Sequence, residues 1–326
     1  MFDFNTAVWA ALVAFAICVI LGPVAIPVLK RLKLGQNVRD DGPKTHLKKA
    51  GIPSMGGIVI IIAILLSSFY FSMSSEGHEW QLVMFLMVSY GLIGFLDDYI
   101  KIVKRRSLGL RAYQKFSLQI LAATVFVILL ILSGASLEIF VPFSDGIYLD
   151  LGFFAPLFMV FTIVGTANGA NFTDGADGLA SGVTLLIALF FLYIAIASES
   201  YLVATIAAAA GALLGFLLFN SYPAKVFMGD TGSLALGGLV SAVAIILQMP
   251  LLIVIVAFVY LAEVLSVIIQ VGYFKMTKGK RFFKMAPIHH HFEQLGWPET
   301  KVVAVFYIVT AILCLLGFLA VNNLFI

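Results

Sequence analysis

The sequence predicts an all-α polytopic membrane protein of about ten transmembrane helices, on three observations. The 326 residues are 62% hydrophobic and only 11% charged, whereas soluble domains carry about 25% charged residues. Ten apolar runs approach the ~20 residues that a membrane span needs. Every Lys and Arg falls after an odd-numbered run or at its edge. The low charge content excludes soluble, disordered and nucleic-acid-binding classes, because a water-facing surface cannot be built from so little polar material.

The ten runs are Ala7–Leu29, Gly56–Met73, Trp80–Leu96, Phe116–Ser133, Leu151–Thr166, Leu179–Ala197, Tyr201–Phe219, Ser233–Gln248, Leu251–Phe274 and Val302–Leu324. The third, fifth and eighth are the shortest. Pro23 and Pro27 predict a kinked end to the first helix. That helix is not expected to be a cleaved signal, since no basic residue precedes it and its apolar stretch is too long. There is no fixed-period repeat and no low-complexity tract, so residues 1–326 read as a single integral membrane domain. Cys18 and Cys314 lie far apart in apolar runs and form neither a metal spacing nor a disulfide framework. The stretch Leu137–Leu151 alternates apolar and polar residues around Ser144-Asp145-Gly146, which suggests a small hairpin.

Lysine and arginine orient the spans. Seven lie in Lys30–Lys49, six in Lys101–Lys115, one at Lys225, five in Lys275–Lys284 and one at Lys301. The segments after even-numbered runs contain none and carry only acids, among them Glu76, Glu138, Asp150 and Glu199. The positive-inside rule makes the odd segments cytoplasmic and both termini external. The net charge of +3 then divides into about +11 inside and −7 outside, with Glu263 in mid-span.

Four polar motifs stand out, and this topology puts all four on the cytoplasmic side. Asp97-Asp98-Tyr-Ile-Lys101 closes the third run. Adjacent carboxylates repel unless a cation binds them, and Mg²⁺ commonly bridges carboxylates to substrate phosphates. Lys101, at i+4 from Asp97, is placed to pair with it or to reach a phosphate; a solvated acidic helix end is the plain alternative. The segment Asn168 through Gly178 precedes the sixth span as a polar loop with Asn171, Asp174, Gly175 and Asp177. Helix capping accounts for Asp177 alone, and the rest suits a nucleobase, a ribose or a metal. Asn220 through Ser233 holds Lys225, Phe227 and a glycine-flanked Asp230, which reads as an N-cap or as a metal-binding or catalytic carboxylate. Pro287-Ile-His289-His290-His291-Phe-Glu293 follows four basic residues. Consecutive histidines rarely converge on one tetrahedral zinc, so phosphate binding or proton donation near neutral pH fits better.

The basic segments Lys44–Lys49 and Lys101–Lys115 also suit anionic lipid head groups, at roughly 1 kcal/mol per residue. Gly51 through Gly57, with Ser54, reads as a tight entry into the second span. Glu263 is expected to face the bundle, partnered or protonated. Transporters keep their ionisable groups near the bilayer midplane. Here they sit at span ends on one face, which favours an interfacial enzyme joining a phosphorylated soluble donor to a lipid. A transporter or flippase is the alternative from another class.

These motifs carry a resemblance. Pro53 through Gly57, Asp97 through Lys101, Asn168 through Gly178, Phe227 through Ser233 and Met285 through Glu293 resemble those of the bacterial phospho-N-acetylmuramoyl-pentapeptide transferases, of the polyprenyl-phosphate N-acetylhexosamine-1-phosphate transferase superfamily. The likeness covers essentially the whole chain, and its most specific piece is Ala286 through Glu293. It implies transfer from UDP-N-acetylmuramoyl-pentapeptide to undecaprenyl phosphate with release of UMP, a Mg²⁺ requirement, a multi-pass bacterial plasma-membrane location and a homodimer. It places Asp97 and Asp98 at the catalytic centre, with Asp97 activating the lipid phosphate or acting as nucleophile. Asp230, with Asp98, is implied to bind Mg²⁺. Asp174, Gly175, Asp177, Asn220 and Phe227 are implied to hold uridine, and Lys49, Lys101 and Lys115 to neutralise phosphates. Asn168, His289 and His290 fall on the diphosphate or sugar side, with Asn171 and His291 as further substrate contacts. A UDP-N-acetylglucosamine-1-phosphate transferase remains the alternative within the superfamily.

Overall fold

The computed structural model describes residues 4–32, 49, 51–73, 77–104 and 109–324. Lys33, Arg39, Lys44, Lys48, Arg105, Arg106 and Glu76, which entered the charge argument above, lie outside the described residues. The chain is built from α1 (Phe4–Arg31), α2 (Gly57–Ser72), α3 (Glu79–Val103), α4 (Ala112–Leu132), β1 (Ile139–Phe140), β2 (Tyr148–Leu149), α5 (Ala155–Thr173), α6 (Leu179–Ala197), α7 (Val203–Asn220), α8 (Gly229–Ile246), α9 (Ile253–Val256), α10 (Phe258–Met276), α11 (Ile288–Gln294) and α12 (Glu299–Ala320). Among the described residues, nine helices are long and apolar enough to cross a membrane, which makes this a multi-pass membrane protein. The helix α2, with 16 residues, is the short one; at ~1.5 Å per residue it spans about 24 Å.

Several expectations change at this level. The third, fifth and eighth runs are not the shortest helices, because each continues into its polar motif: α3 through Asp97, Asp98 and Lys101, α5 through Asn168 and Asn171, and α8 from Gly229. Asn168 and Asn171 are therefore helical, not loop residues, and their amides find partners inside the bundle. The helix α1 carries Pro23 and Pro27, the positions of the expected kink, within its last turns before Arg31. The ninth run is not one helix. Met249-Pro250 opens a short 3-10 turn, α9 follows, and the chain breaks at Ala257 before α10.

Burial sorts the helices into a centre and a rim. In α8, 89% of the spanning window is buried, against 22% in α1 and α10. Small residues allow this density, as in membrane helix pairs generally. Gly232 of α8 lies directly on Gly57 of α2, and Gly237 lies on Ala167 of α5. The rim turns Trp9, Ile20, Leu132, Ile268 and Leu319 outward, where lipid tails replace water as the apolar solvent.

The two ends of the bundle differ. At one end β1 and β2 pair antiparallel, with Ile139 opposite Leu149. This is the expected hairpin, and it is tied down by Phe140 N–H to Gln248 O at 2.8 Å and Phe143 N–H to Ala320 O at 2.9 Å. At the other end the described residues that follow the odd-numbered spans converge. Residues 51–56 pair there with the approach to α8, through Gly56 N–H to Phe227 O at 2.8 Å and Phe227 N–H to Pro53 O at 2.9 Å.

Candidate active site

Three carboxylates meet where α3 passes α8. Asp97, Asp98 and Asp230 each bring one oxygen within 4.8 Å of the other two. Asp97 and Asp98 are buried. The helices approach this closely because Gly94, one turn before Asp98, lies against the Asp230 carbonyl with no room for a Cβ. Gly229 supplies the turn into α8 at φ +69°, where an added Cβ would meet Ser54 Oγ at 2.6 Å and Asp98 Oδ2 at 2.7 Å. Only glycine takes that conformation freely.

Each carboxylate is held. Asp98 Oδ2 accepts the Thr231 N–H at 3.0 Å and the Thr231 hydroxyl at 2.8 Å. Asp97 Oδ1 accepts the Leu110 N–H at 2.8 Å. The Asn171 amide donates to Asp230 Oδ1 at 3.1 Å and to Ser233 Oγ at 2.8 Å. Two ammonium groups offset the charge. Lys101 Nζ lies 2.7 Å from Asp97, 3.5 Å from Asp98 and 3.0 Å from Asp230, and Lys115 Nζ lies 2.7 Å from Asp230. Three acids against two lysines leave an uncompensated negative charge in a buried place, and the donors are hard oxygens. That set fits a divalent cation of the Mg²⁺ type.

A second group lies around the start of α6. Lys49 donates to Asp177 Oδ1 at 2.6 Å and to Glu299 Oε1 at 2.5 Å, and its Nζ stands 5.9 Å from the Phe227 ring centroid. Burial opposes the Lys49 charge, but the hydrogen bonds and charges of Asp177 and Glu299 outweigh it and raise the ammonium above its ordinary range. Glu299 also accepts the Asp177 N–H at 2.7 Å, and Asp177 Oδ2 accepts the Ala224 N–H at 2.9 Å. Asp177 therefore does not cap α6, whose first turn is entered through Gly178. Burial first, then the charges of Asp230, Asp98 and Asp177, push the Asp174 carboxyl well above its ordinary range, against the pull of a hydrogen bond from the Gly229 backbone.

The three histidines diverge, as successive positions 100° apart on a helix must. His289 is buried on Glu263 of α10, with Nδ1 3.1 Å from Glu263 Oε1. His290 Nδ1 lies 2.7 Å from Glu293. His291 turns toward the basic segment and accepts the Lys284 N–H at 3.1 Å. No single ion can use all three.

A family model for glycosyl transferase family 4 matches residues 80–248, and a phospho-N-acetylmuramoyl-pentapeptide-transferase signature matches residues 49–61. The chain is 49% identical over 324 residues to the phospho-N-acetylmuramoyl-pentapeptide-transferase of Clostridioides difficile (strain 630), covering 98% of this chain and 99% of that one. It is 50% identical over 320 residues to the enzyme of that name from Clostridium botulinum (strain Eklund 17B / Type B), covering 97% and 96%. The chain belongs to the phospho-N-acetylmuramoyl-pentapeptide-transferase family.

Within this transferase the family 4 match runs from α3 to just past α8 and so contains all three carboxylates, while the histidine segment lies beyond it. Of the residues singled out in the sequence, Asp97, Asp98, Lys101, Lys115, Asn171 and Asp230 form one connected cluster. Lys49, Asp177 and Phe227 form a second. Asn168 lies on the cluster's flank and donates to Gln119 Oε1 at 2.7 Å. Asn220 is turned inward, accepting from Ser181 at 2.7 Å and donating to Val226 O at 3.0 Å; it shapes the turn before α8. Gly175 joins the histidine segment to the site, because a Cβ there would enter the His289 imidazole at Nε2.

Sequence reasoning missed Glu299, Gln119 and Thr231. Glu299 follows Pro298 at the start of a span, where an acid reads as ordinary first-turn charge. Only a partner 250 residues away gives it its role. We expect Gly175→Ala to displace the buried His289 ring, lowering turnover by about 10²-fold and stability by about 1–3 kcal/mol, as overpacking does. Turnover within twofold of the parent would show that the ring does not serve the reaction.

Proposed function

We propose that this chain transfers phospho-N-acetylmuramoyl-pentapeptide from its UDP-linked donor to undecaprenyl phosphate, giving undecaprenyl-diphospho-N-acetylmuramoyl-pentapeptide and UMP, the first membrane step of peptidoglycan synthesis. The observation that carries this reading is the meeting of Asp97, Asp98 and Asp230 with Lys101 and Lys115 at one end of a membrane-spanning bundle of this family. The one-sided distribution of Lys and Arg supports a cytoplasmic position for that end in the bacterial plasma membrane, with both termini outside. Residues 1–326 act as a single domain.

Asp230 and Asp98 would hold Mg²⁺, which would supply charge neutralisation on the transferring phosphoryl group. Lys101 and Lys115 neutralise phosphate oxygens. Asp97, fixed by Leu110 N–H and Lys101, orients the lipid phosphate. A phosphate monoester is already largely ionised at neutral pH, so it needs no strong base, and in-line attack on the β-phosphate in one step is sufficient. Capture of a phosphorylated aspartate with donor alone would replace this by a two-step route. Uridine stacks on Phe227, near Lys49 and Asp177, with Asp174 and Gly175 closing the pocket and Asn220 setting its floor. Asn168, His289 and His290 face the diphosphate and sugar, and His291 reaches the outer part of the donor.

The test is UMP release by purified protein with a polyprenyl phosphate and two donors. UMP is expected from the muramoyl-pentapeptide donor, not from UDP-N-acetylglucosamine, and chelation of divalent cations is expected to stop it. Release from the second donor alone would reassign the substrate. Vectorial movement of donor without UMP would indicate a transporter.

A further inference from the structure

Glu263 is a buried carboxyl that the mechanism above does not use. It lies within a span and is fully buried on α10. One oxygen meets His289 Nδ1 at 3.1 Å; the other, Oε2, has no hydrogen-bond partner. His289 is equally enclosed, and its second nitrogen, Nε2, also has no partner and faces Gly175. The titratable groups facing this imidazole are Glu263 from α10, His290 and through it Glu293 on α11, and Asp174 beside Gly175.

An isolated buried charge is costly, and a buried pair survives best when its sum is neutral. A carboxylate facing a neutral imidazole through Nδ1–H would leave a net charge of −1 with no cation against it. Two arrangements remove that charge: carboxylate with imidazolium, or carboxylic acid donating to Nδ1. Both leave the proton on Nε2. We infer that Glu263 is a positioning residue that keeps His289 Nε2 protonated, so that it meets the anionic diphosphate of the donor as a hydrogen-bond donor. The inference rests on the transfer reaction proposed above. Alone, a histidine would present a lone pair at Nε2 in a sizeable fraction of molecules, since its ordinary pKa is about 6.5, and a lone pair repels phosphate oxygen.

The experiment compares UMP release by the parent and by Glu263→Gln between pH 6 and pH 8.5. The amide keeps the size but carries no charge, so its carbonyl can accept Nδ1–H and leave Nε2 as a lone pair, an arrangement that the carboxyl group disfavours. The variant is expected to fall about 10²-fold below the parent at pH 8.5, within the range of a lost oxyanion donor. The gap is expected to narrow to less than about tenfold at pH 6, since acid favours the form with a proton on both ring nitrogens. In a His289→Asn background, Glu263→Gln is expected to cost nothing further. A deficit that is the same at every pH, a variant within threefold of the parent at pH 8.5, or additive losses in the double variant would each overturn the inference. If Glu263→Gln does not accumulate in membranes, Glu263→Asp carries the test. It keeps the charge, so its deficit must not vary with pH, and a deficit that narrows toward pH 6 counts against the inference. Parent protein that releases no UMP would instead sink the transfer reading itself.

Discussion

Asp230→Asn is expected to lower UMP release by about 10³-fold, the scale of removing a group that stabilises transition-state charge, while the protein still folds. The amide has nearly the same volume, so α8 keeps its packing against α3 and α5. What changes is charge. Asp230 Oδ2 holds Lys115 at 2.7 Å and Lys101 at 3.0 Å, and Oδ1 accepts from Asn171 at 3.1 Å. An amide NH₂ in place of either oxygen sets donor against donor, and the cluster drops from three carboxylates to two. Asp98→Asn should be as damaging to turnover yet gentler on structure, since its remaining oxygen still accepts from Thr231. UMP release and a thermal melt on the same preparation separate the two effects. More than a tenth of parental turnover in either variant would remove that residue from the cation-binding set.

Gly94→Ala is the second change with a large expected effect, although Gly94 carries no functional group. The new methyl would enter the Asp230 carbonyl and the Thr231 backbone nitrogen. Backbone cannot rotate aside as a side chain does, so the crossing of α3 and α8 must open. Overpacking of this kind costs about 1–3 kcal/mol. The same opening draws Asp97 and Asp98 away from Asp230, and a misplacement of ~1 Å can cost 10²-fold in rate. Gly165→Ala on α5 is the control, because nothing stands within 4 Å of its Cβ position. It should be neutral or slightly stabilising, as alanine favours a helix over glycine by about 1 kcal/mol. If Gly94→Ala matches Gly165→Ala in both melting temperature and turnover, the α3–α8 crossing is not what spaces the carboxylates.

The membrane class and the polar motifs were readable from the chain because both are local. An apolar run announces a span wherever its neighbours lie, and Asp97-Asp98-Tyr99-Ile100-Lys101 is visible as five consecutive residues. Helix ends were less readable. Asn168 and Asn171 look like loop residues until Gln119 and Asp230 are present to bond their amides, and α3 carries two acids in its last turns because Lys101 and Thr231 hold them. The break at Ala257 is invisible in a run that is apolar on both sides. Partnerships at long range were not readable at all. Lys49 with Glu299, and Glu263 with His289, join segments whose proximity is set by the packing of whole helices, and nothing in either stretch alone specifies it.

The division between an enclosed α8 and an exposed rim bears on how the bilayer acts on this protein. A membrane that thickens or thins works on helices it touches, and they respond by tilting. The helix α8 touches almost none of it, and its spacing from α2, α3 and α5 is set by backbone against backbone at Gly57, Gly94 and Gly237. The three carboxylates therefore keep their separation whatever the lipid. The histidine segment has no such insulation. Glu263, its anchor, rides on α10, which is mostly lipid-facing. Lipid composition thus has a mechanical grip on the histidine side of the site, while the carboxylate side stays out of its reach.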